Sequence, residues 1–199
     1  MKVVGLCGSS GAGKSTVGAM FGEFNFAHID TDSIYHSLIA SSTECTAELA
    51  SYFGNIILNE SGGINRPTLA EIVFGDRDKL LVLNKIAHKH VLSAVRQIIK
   101  SLALDSSVQG VLVDAPLLFE SGFDKECDAI IAVIADRDVK IERIMKRDNI
   151  TRLQAEKRLN NQIPDEDIIS RASYIITNNN LDELRCSVKD IADKIINLK

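Results

Sequence analysis

Gly8-Ser9-Ser10-Gly11-Ala12-Gly13-Lys14-Ser15-Thr16 follows directly on the apolar run Lys2–Cys7 and opens into a helical pattern from Ser15 to Phe24. The stretch fits G-x-x-x-x-G-K-[ST], and strand, loop and helix come in the order that motif needs. Its residue types suit a phosphate. Glycines let the backbone turn tightly and aim successive N–H groups inward. The next helix adds unsatisfied N-terminal donors and the positive end of its dipole. Gly11, Ala12, Gly13, Lys14, Ser15 and Thr16 are thus the candidate nucleotide-binding residues. Lys14 supplies a mobile cation for the β- and γ-phosphates, and Ser15 a hydroxyl for Mg²⁺.

Outward from the loop, Ala27–Asp30, Val111–Val113, Ala129–Ala135 and Tyr174–Thr177 read as further short buried strands. Val139–Arg147, Arg152–Asn161 and Leu181–Ile196 read as helices between and after them. Such alternation predicts an α/β fold with a five-stranded parallel sheet covered on both faces. Ser33 to Ser107 breaks the rhythm. It holds much helix and little strand, Pro67 sits where a helix would begin, and Asp76–Leu104 reads as one long helix or two joined. Asn178-Asn179-Asn180 reads simply as a polar turn.

Composition narrows the class. The chain has 199 residues, 45% hydrophobic and 25% charged, with a net charge of −4. That suits one compact domain and argues against a broad nucleic-acid-binding face. No apolar run approaches the ~20 residues of a membrane span, and the N-terminus is interrupted by glycine too soon for a secretory signal. Cys7, Cys45, Cys127 and Cys186 are scattered with no metal-ligand spacing, as free thiols in a reducing compartment would be. Together these features suggest a soluble cytoplasmic protein. His28, His36, His88 and His90 do not suggest a metal site, although His88 can contact a substrate.

Several charged groups fall at the expected carboxyl edge of the sheet. Asp114 closes the strand Val111–Val113, where it either holds the water shell of magnesium or merely caps the chain. Asp30-Thr31-Asp32 follows the second strand. A carboxylate there can take a proton from a hydroxyl attacking the γ-phosphate, and Asp32 can also cap the next helix while exposing its second oxygen. Arg143 and Arg147 share one helix face inside the basic run Arg137 to Arg158. Two guanidiniums on a mobile hairpin could close over a triphosphate; Arg152 and Lys157 fit a solvated face better. Asn84-Lys85-Ile86-Ala87 lacks the aspartate of a base-reading N-K-x-D segment, so a guanine-nucleotide switch is disfavoured. A small-molecule kinase fits best.

These residues also resemble the dephospho-coenzyme A kinases along nearly the whole chain. Gly5-Leu6-Cys7-Gly8 is similar to that family's start, and Asp30-Thr31-Asp32 matches its D-x-D. Gly63-Ile64-Asn65-Arg66 with Leu69 and Val73-Phe74, and Leu83-Asn84-Lys85-Ile86-Ala87-His88, resemble two further stretches. Asp114-Ala115-Pro116-Leu117-Leu118-Phe119-Glu120 matches D-x-P-L-L-F-E, the most specific signature. Arg147-Asp148, Arg158 with Gln162, and Arg171-Ala172 continue the match. Lys89 stands where the family usually has proline, and Ser173-Tyr174 replaces a common aspartate-containing step.

The resemblance implies phosphoryl transfer from ATP to the ribose 3′-hydroxyl of dephospho-coenzyme A, the last step of coenzyme A biosynthesis, with Mg²⁺ as cofactor. A nucleoside or nucleotide kinase and a non-catalytic ATP-dependent regulator are the alternatives. It also implies a three-layer P-loop NTPase fold. The core would span about 1–32, 108–146 and 163–199, a helical acceptor-binding insert about 33–107, and a lid about 147–162. By similarity Asp32, Lys14 and Arg143 are catalytic, and Arg147 joins the ATP-binding set. Asp32, Arg66, His88, Pro116, Leu117 and Leu118 face the acceptor, and Ser15 and Asp114 the metal. The expected assembly is a monomer or weak homo-oligomer.

Overall fold

The structure, a computed structural model, describes residues 1–41 and 43–198. Five strands form one sheet: β1 (Lys2–Cys7), β2 (Phe26–Asp30), β3 (Gly110–Asp114), β4 (Ala129–Ile134) and β5 (Tyr174–Thr177). Their spatial order is β2-β3-β1-β4-β5. β1 pairs in parallel with β3 on one side and β4 on the other, and β4 pairs in parallel with β5. The chain therefore reverses its direction of travel across the sheet beside β1. Such a switch point opens a crevice at the strands' carboxyl ends, and the loop after β1 emerges into it.

The helices are α1 (Lys14–Gly22), α2 (Thr31–Ala40), α3 (Glu44–Phe53), α4 (Arg66–Val73), α5 (Arg77–Leu102), α6 (Arg137–Asp148), α7 (Arg152–Asn160), α8 (Asp165–Ile169) and α9 (Leu181–Ile196). By contacts the chain divides into two compact units, Met1–Ile29 with Leu102–Lys199, and Asp30–Ser101.

In the first unit α1 and α9 cover one sheet face. Val17 and Phe21 of α1, and Val188 and Ile195 of α9, share a buried cluster with Leu6 and Ile131 of the central strands. On the opposite face a Cβ on Gly5 would come within 2.7 Å of Leu118, so glycine lets that leucine lie directly on the sheet. α6 and α7 meet through Ile141, Ile144, Ala155 and Leu159. No helix among the described residues is long and apolar enough to cross a membrane.

The second unit is helical and has its own core, which includes Ile39, Leu49, Ile57, Leu69 and Ile86. Local chemistry sets its helix starts. Thr43 and Thr46 form a capping box at α3, and Asn65 caps α4 with Pro67 in the first turn. α5 is one unbroken helix rather than two, and it passes through Lys89 without interruption. A proline there would lack the N–H and crowd the preceding turn. Lys89 instead sends its ammonium to Glu48 at 2.7 Å, and His90 meets the same oxygen at 2.6 Å.

Candidate active site

β1 delivers the loop, and α1 begins inside it. Gly11 has φ +80°, and a Cβ there would stand 2.6 Å from the Lys140 carbonyl oxygen. The loop thus lies backbone to backbone on α6. Gly13, the N-cap of α1, has φ +93°, and its Cβ would fall 2.0 Å from the Asn178 side-chain nitrogen. Both positions need glycine for conformation and for space. The Gly13 carbonyl accepts from the Thr16 and Val17 amides, so the helix starts there and its earlier amides point into the loop.

Lys14 folds back along the loop and donates to the Gly8 carbonyl at 3.1 Å. Its ammonium lies 3.9 Å from Asp114 at the end of β3, and His28 of β2 is also 3.9 Å from that carboxylate. Ser15 and Thr16 are exposed in the first turn of α1. Cys7, the last residue of β1, is buried, and burial pushes its thiol up to about 12.

Arg143 of α6 is bound to the loop itself. It donates to the carbonyls of Gly11 at 3.2 Å and Ala12 at 3.4 Å, and to the Asn178 backbone oxygen at 3.0 Å. Arg147, one turn on, forks onto its neighbour Asp148 at 2.8 and 2.9 Å and reaches the Ser10 hydroxyl at 3.2 Å. Hydrogen bonding from Arg147 holds the Asp148 carboxyl below the usual carboxylate range, and Arg158 pairs with the same group. Gln162 accepts the Ser10 amide at 2.8 Å. The segment 147–162 therefore touches the loop at both its ends.

In the second unit Asp30, not Asp32, caps α2. One Asp30 oxygen accepts from the Asp32 and Ser33 amides and the other from the Ser33 hydroxyl. An N-cap sits outside the helix and reaches two or three residues forward, and Asp30 has that place while Asp32 is already in the first turn. Asp32 is exposed there. Arg66 opens α4 on the surface, and His88 lies half-buried on α5.

After β3, Ala115 continues the ladder onto Leu6 and the chain turns, with Leu118 donating to the Ala115 carbonyl. Leu117 is 44% exposed, whereas Leu118 is 0% exposed. Leu118 can therefore set the path of Pro116-Leu117 but has no surface to offer an acceptor. Phe119 is stacked by the Arg171 guanidinium, 3.6 Å from the ring centre. Among the described residues no three His, Cys, Asp or Glu side chains cluster as a metal cage.

The family model for dephospho-CoA kinase matches residues 2–183. The chain belongs to the dephospho-CoA kinase family. A dephospho-CoA kinase of Fusobacterium nucleatum is 39% identical over 97% of this chain and 98% of that protein. The solved dephospho-CoA kinase from Campylobacter jejuni superposes with a TM-score of 0.69 at 26% identity, covering 97% of this chain and 96% of that one. A shikimate kinase from Acinetobacter baumannii, with a TM-score of 0.52 at 17% identity over 98% of this chain and 91% of its own, shares the fold. This kinase is thus an ATP-dependent transferase on a P-loop α/β scaffold.

Parts of this kinase's site are absent from the sequence reading. Asn178-Asn179-Asn180 is more than a turn. Asn178 is 3% exposed and donates to the Ala12 carbonyl at 2.8 Å, Asn179 accepts the Asp136 amide, and Asn180 caps α9. Lys140, within the basic run, is buried instead of solvated. A polar residue directly after a predicted buried strand was the available signal for Asn178; for Lys140 there was only its i, i+3 spacing to Arg143.

Proposed function

We propose that this dephospho-CoA kinase moves the γ-phosphoryl group of ATP to the ribose 3′-hydroxyl of dephospho-coenzyme A. The acceptor oxygen bonds to the γ-phosphorus, the bond to the β,γ-bridging oxygen breaks, and ADP leaves. The loop amides and the start of α1 take the phosphates, with Gly11 to Thr16 as the contact residues. Lys14, now resting on the Gly8 carbonyl, swings a short distance to meet the β- and γ-oxygens. Arg143 keeps a second positive charge against the loop, where it stabilises charge that develops in transfer. Arg147 adds a contact from the lid.

Asp32 accepts the proton of the attacking hydroxyl. Arg66, His88, Pro116 and Leu117 orient the acceptor, with Leu118 as the support beneath. Ser15 and Asp114 offer a hydroxyl and a carboxylate, the hard oxygen donors that suit magnesium, and two such groups are enough for an ion that keeps waters and substrate phosphates as its other ligands. Bound there with ATP, Mg²⁺ would neutralise phosphate charge. The lid segment excludes water, which otherwise competes as acceptor.

The observation that carries this reading is the loop's geometry: two left-handed glycines packed against α6 and Asn178, with Lys14 folded back onto the Gly8 carbonyl. The test is ADP release with a panel of hydroxyl acceptors. Turnover selective for dephospho-coenzyme A is expected. Preference for a nucleoside or nucleotide would replace the acceptor assignment, and ATP binding without acceptor-dependent ADP release would make the chain a regulator.

A further inference from the structure

Lys140 lies on α6 with its side chain only 9% exposed, and the charge is not left unpaired. Its ammonium donates to Asp165 Oδ2 at 2.6 Å and to the Ser9 hydroxyl at 3.1 Å. The Ser9 hydroxyl in turn donates to the other Asp165 oxygen at 2.9 Å. The three groups close a ring in which Ser9 both accepts and donates. Ser9 is the second residue of the phosphate loop. Asp165 opens α8, three residues beyond Gln162, whose side chain accepts the next loop amide, Ser10. At Gly11 the loop also abuts the Lys140 carbonyl.

A buried ion pair rarely improves on apolar packing in stability, because desolvation consumes most of the attraction. What such a pair supplies is fixed geometry. Here its members come from the loop, α6 and the start of α8. We propose that Lys140 is a positioning residue for ATP binding: its ammonium locks the first half of the phosphate loop to the chain leaving the lid, so loop register and lid anchorage are set together. Loss of the ammonium leaves Ser9 with only its bond to Asp165 and Asp165 without its cation, and the loop amides then meet the phosphates in several arrangements instead of one.

This rests on the reading of the loop as an ATP site, and the experiment keeps the two apart. ATP binding is measured by calorimetry without acceptor, and turnover separately with dephospho-coenzyme A, for wild type, Lys140→Met, Asp165→Asn and the double variant. Lys140→Met is expected to weaken ATP binding and raise its KM about tenfold, with kcat at saturating ATP and the acceptor KM within about threefold of wild type. The double variant removes both charges, so it should recover melting temperature while ATP affinity stays low. Recovery of both would make the pair merely structural and overturn the proposal. So would unchanged ATP affinity in a folded Lys140→Met protein. A wild type that binds ATP yet phosphorylates no dephospho-coenzyme A would sink the acceptor assignment alone.

Discussion

The side-chain N–H of Asn178 donates to the Ala12 carbonyl at 2.8 Å, joining the residue after β5 to the middle of the loop after β1. The same asparagine receives Arg143 on its backbone oxygen. Buried polar groups that lose a partner cost about 1–3 kcal/mol each. Asn178→Ala should therefore lower the melting temperature by about 5 °C and weaken ATP binding several-fold. Differential scanning calorimetry with and without Mg·ATP reads both, and an unchanged melt with full ATP affinity would show that the contact holds nothing in place.

Asp32 and Lys14 should fail differently. Asp32→Asn is expected to keep ATP affinity within a few-fold and to lose ~10²-fold or more in rate. Lys14→Ala should impair both, since its cation serves ground state and transition state alike. Equilibrium binding beside steady-state turnover separates them. Parallel losses of binding and rate in Asp32→Asn would mean that the carboxylate is structural.

The four cysteines are unequal. Burial pushes Cys7 and Cys127 up to about 12 and Cys45 to about 11, whereas Cys186 is exposed. Thiolate is the reactive form, so a disulfide reagent at about pH 8 should modify Cys186 first and the others only on unfolding. Cys186→Ser should abolish the fast phase; its survival would place the reactive thiol elsewhere.

Asp148 is held below the usual carboxylate range by hydrogen bonding from Arg147. A carboxylate with a depressed folded pKa stabilises the fold at neutral pH and stops doing so as pH falls through that value. The melting-temperature gap between wild type and Asp148→Asn should thus narrow below about pH 4. Melts across an acid pH series check this, and a gap that stays constant to the lowest pH would contradict it.

Local chemistry carries far along this chain. The apolar runs that became β1, β3, β4 and β5, the loop glycines, Asn65-Arg66-Pro67 at the start of α4 and the long pattern of α5 are all short-range signals, because strand period, turn conformation and capping act within a few residues. Even so, Asp30 takes the cap that the sequence allowed Asp32, because α2 starts two residues earlier than a cap at Asp32 would set it. The short α8 has no periodic signal at all, and its five residues are too few to show one.

From residue types alone it followed that an α/β chain with a phosphate-gripping loop stands here, because that loop's demands on backbone conformation are met only by glycines at set spacings before a lysine. Which side chains brace the loop was settled by the fold. Asn178, Lys140 and Asp165 come from 166, 131 and 156 residues away from their loop partners Ala12, Ser9 and Ser9. Only the parallel sheet order, which sets β4 beside β1 and β5 beside β4, brings them together, and burial then turns ordinary polar residues into partners that must be satisfied.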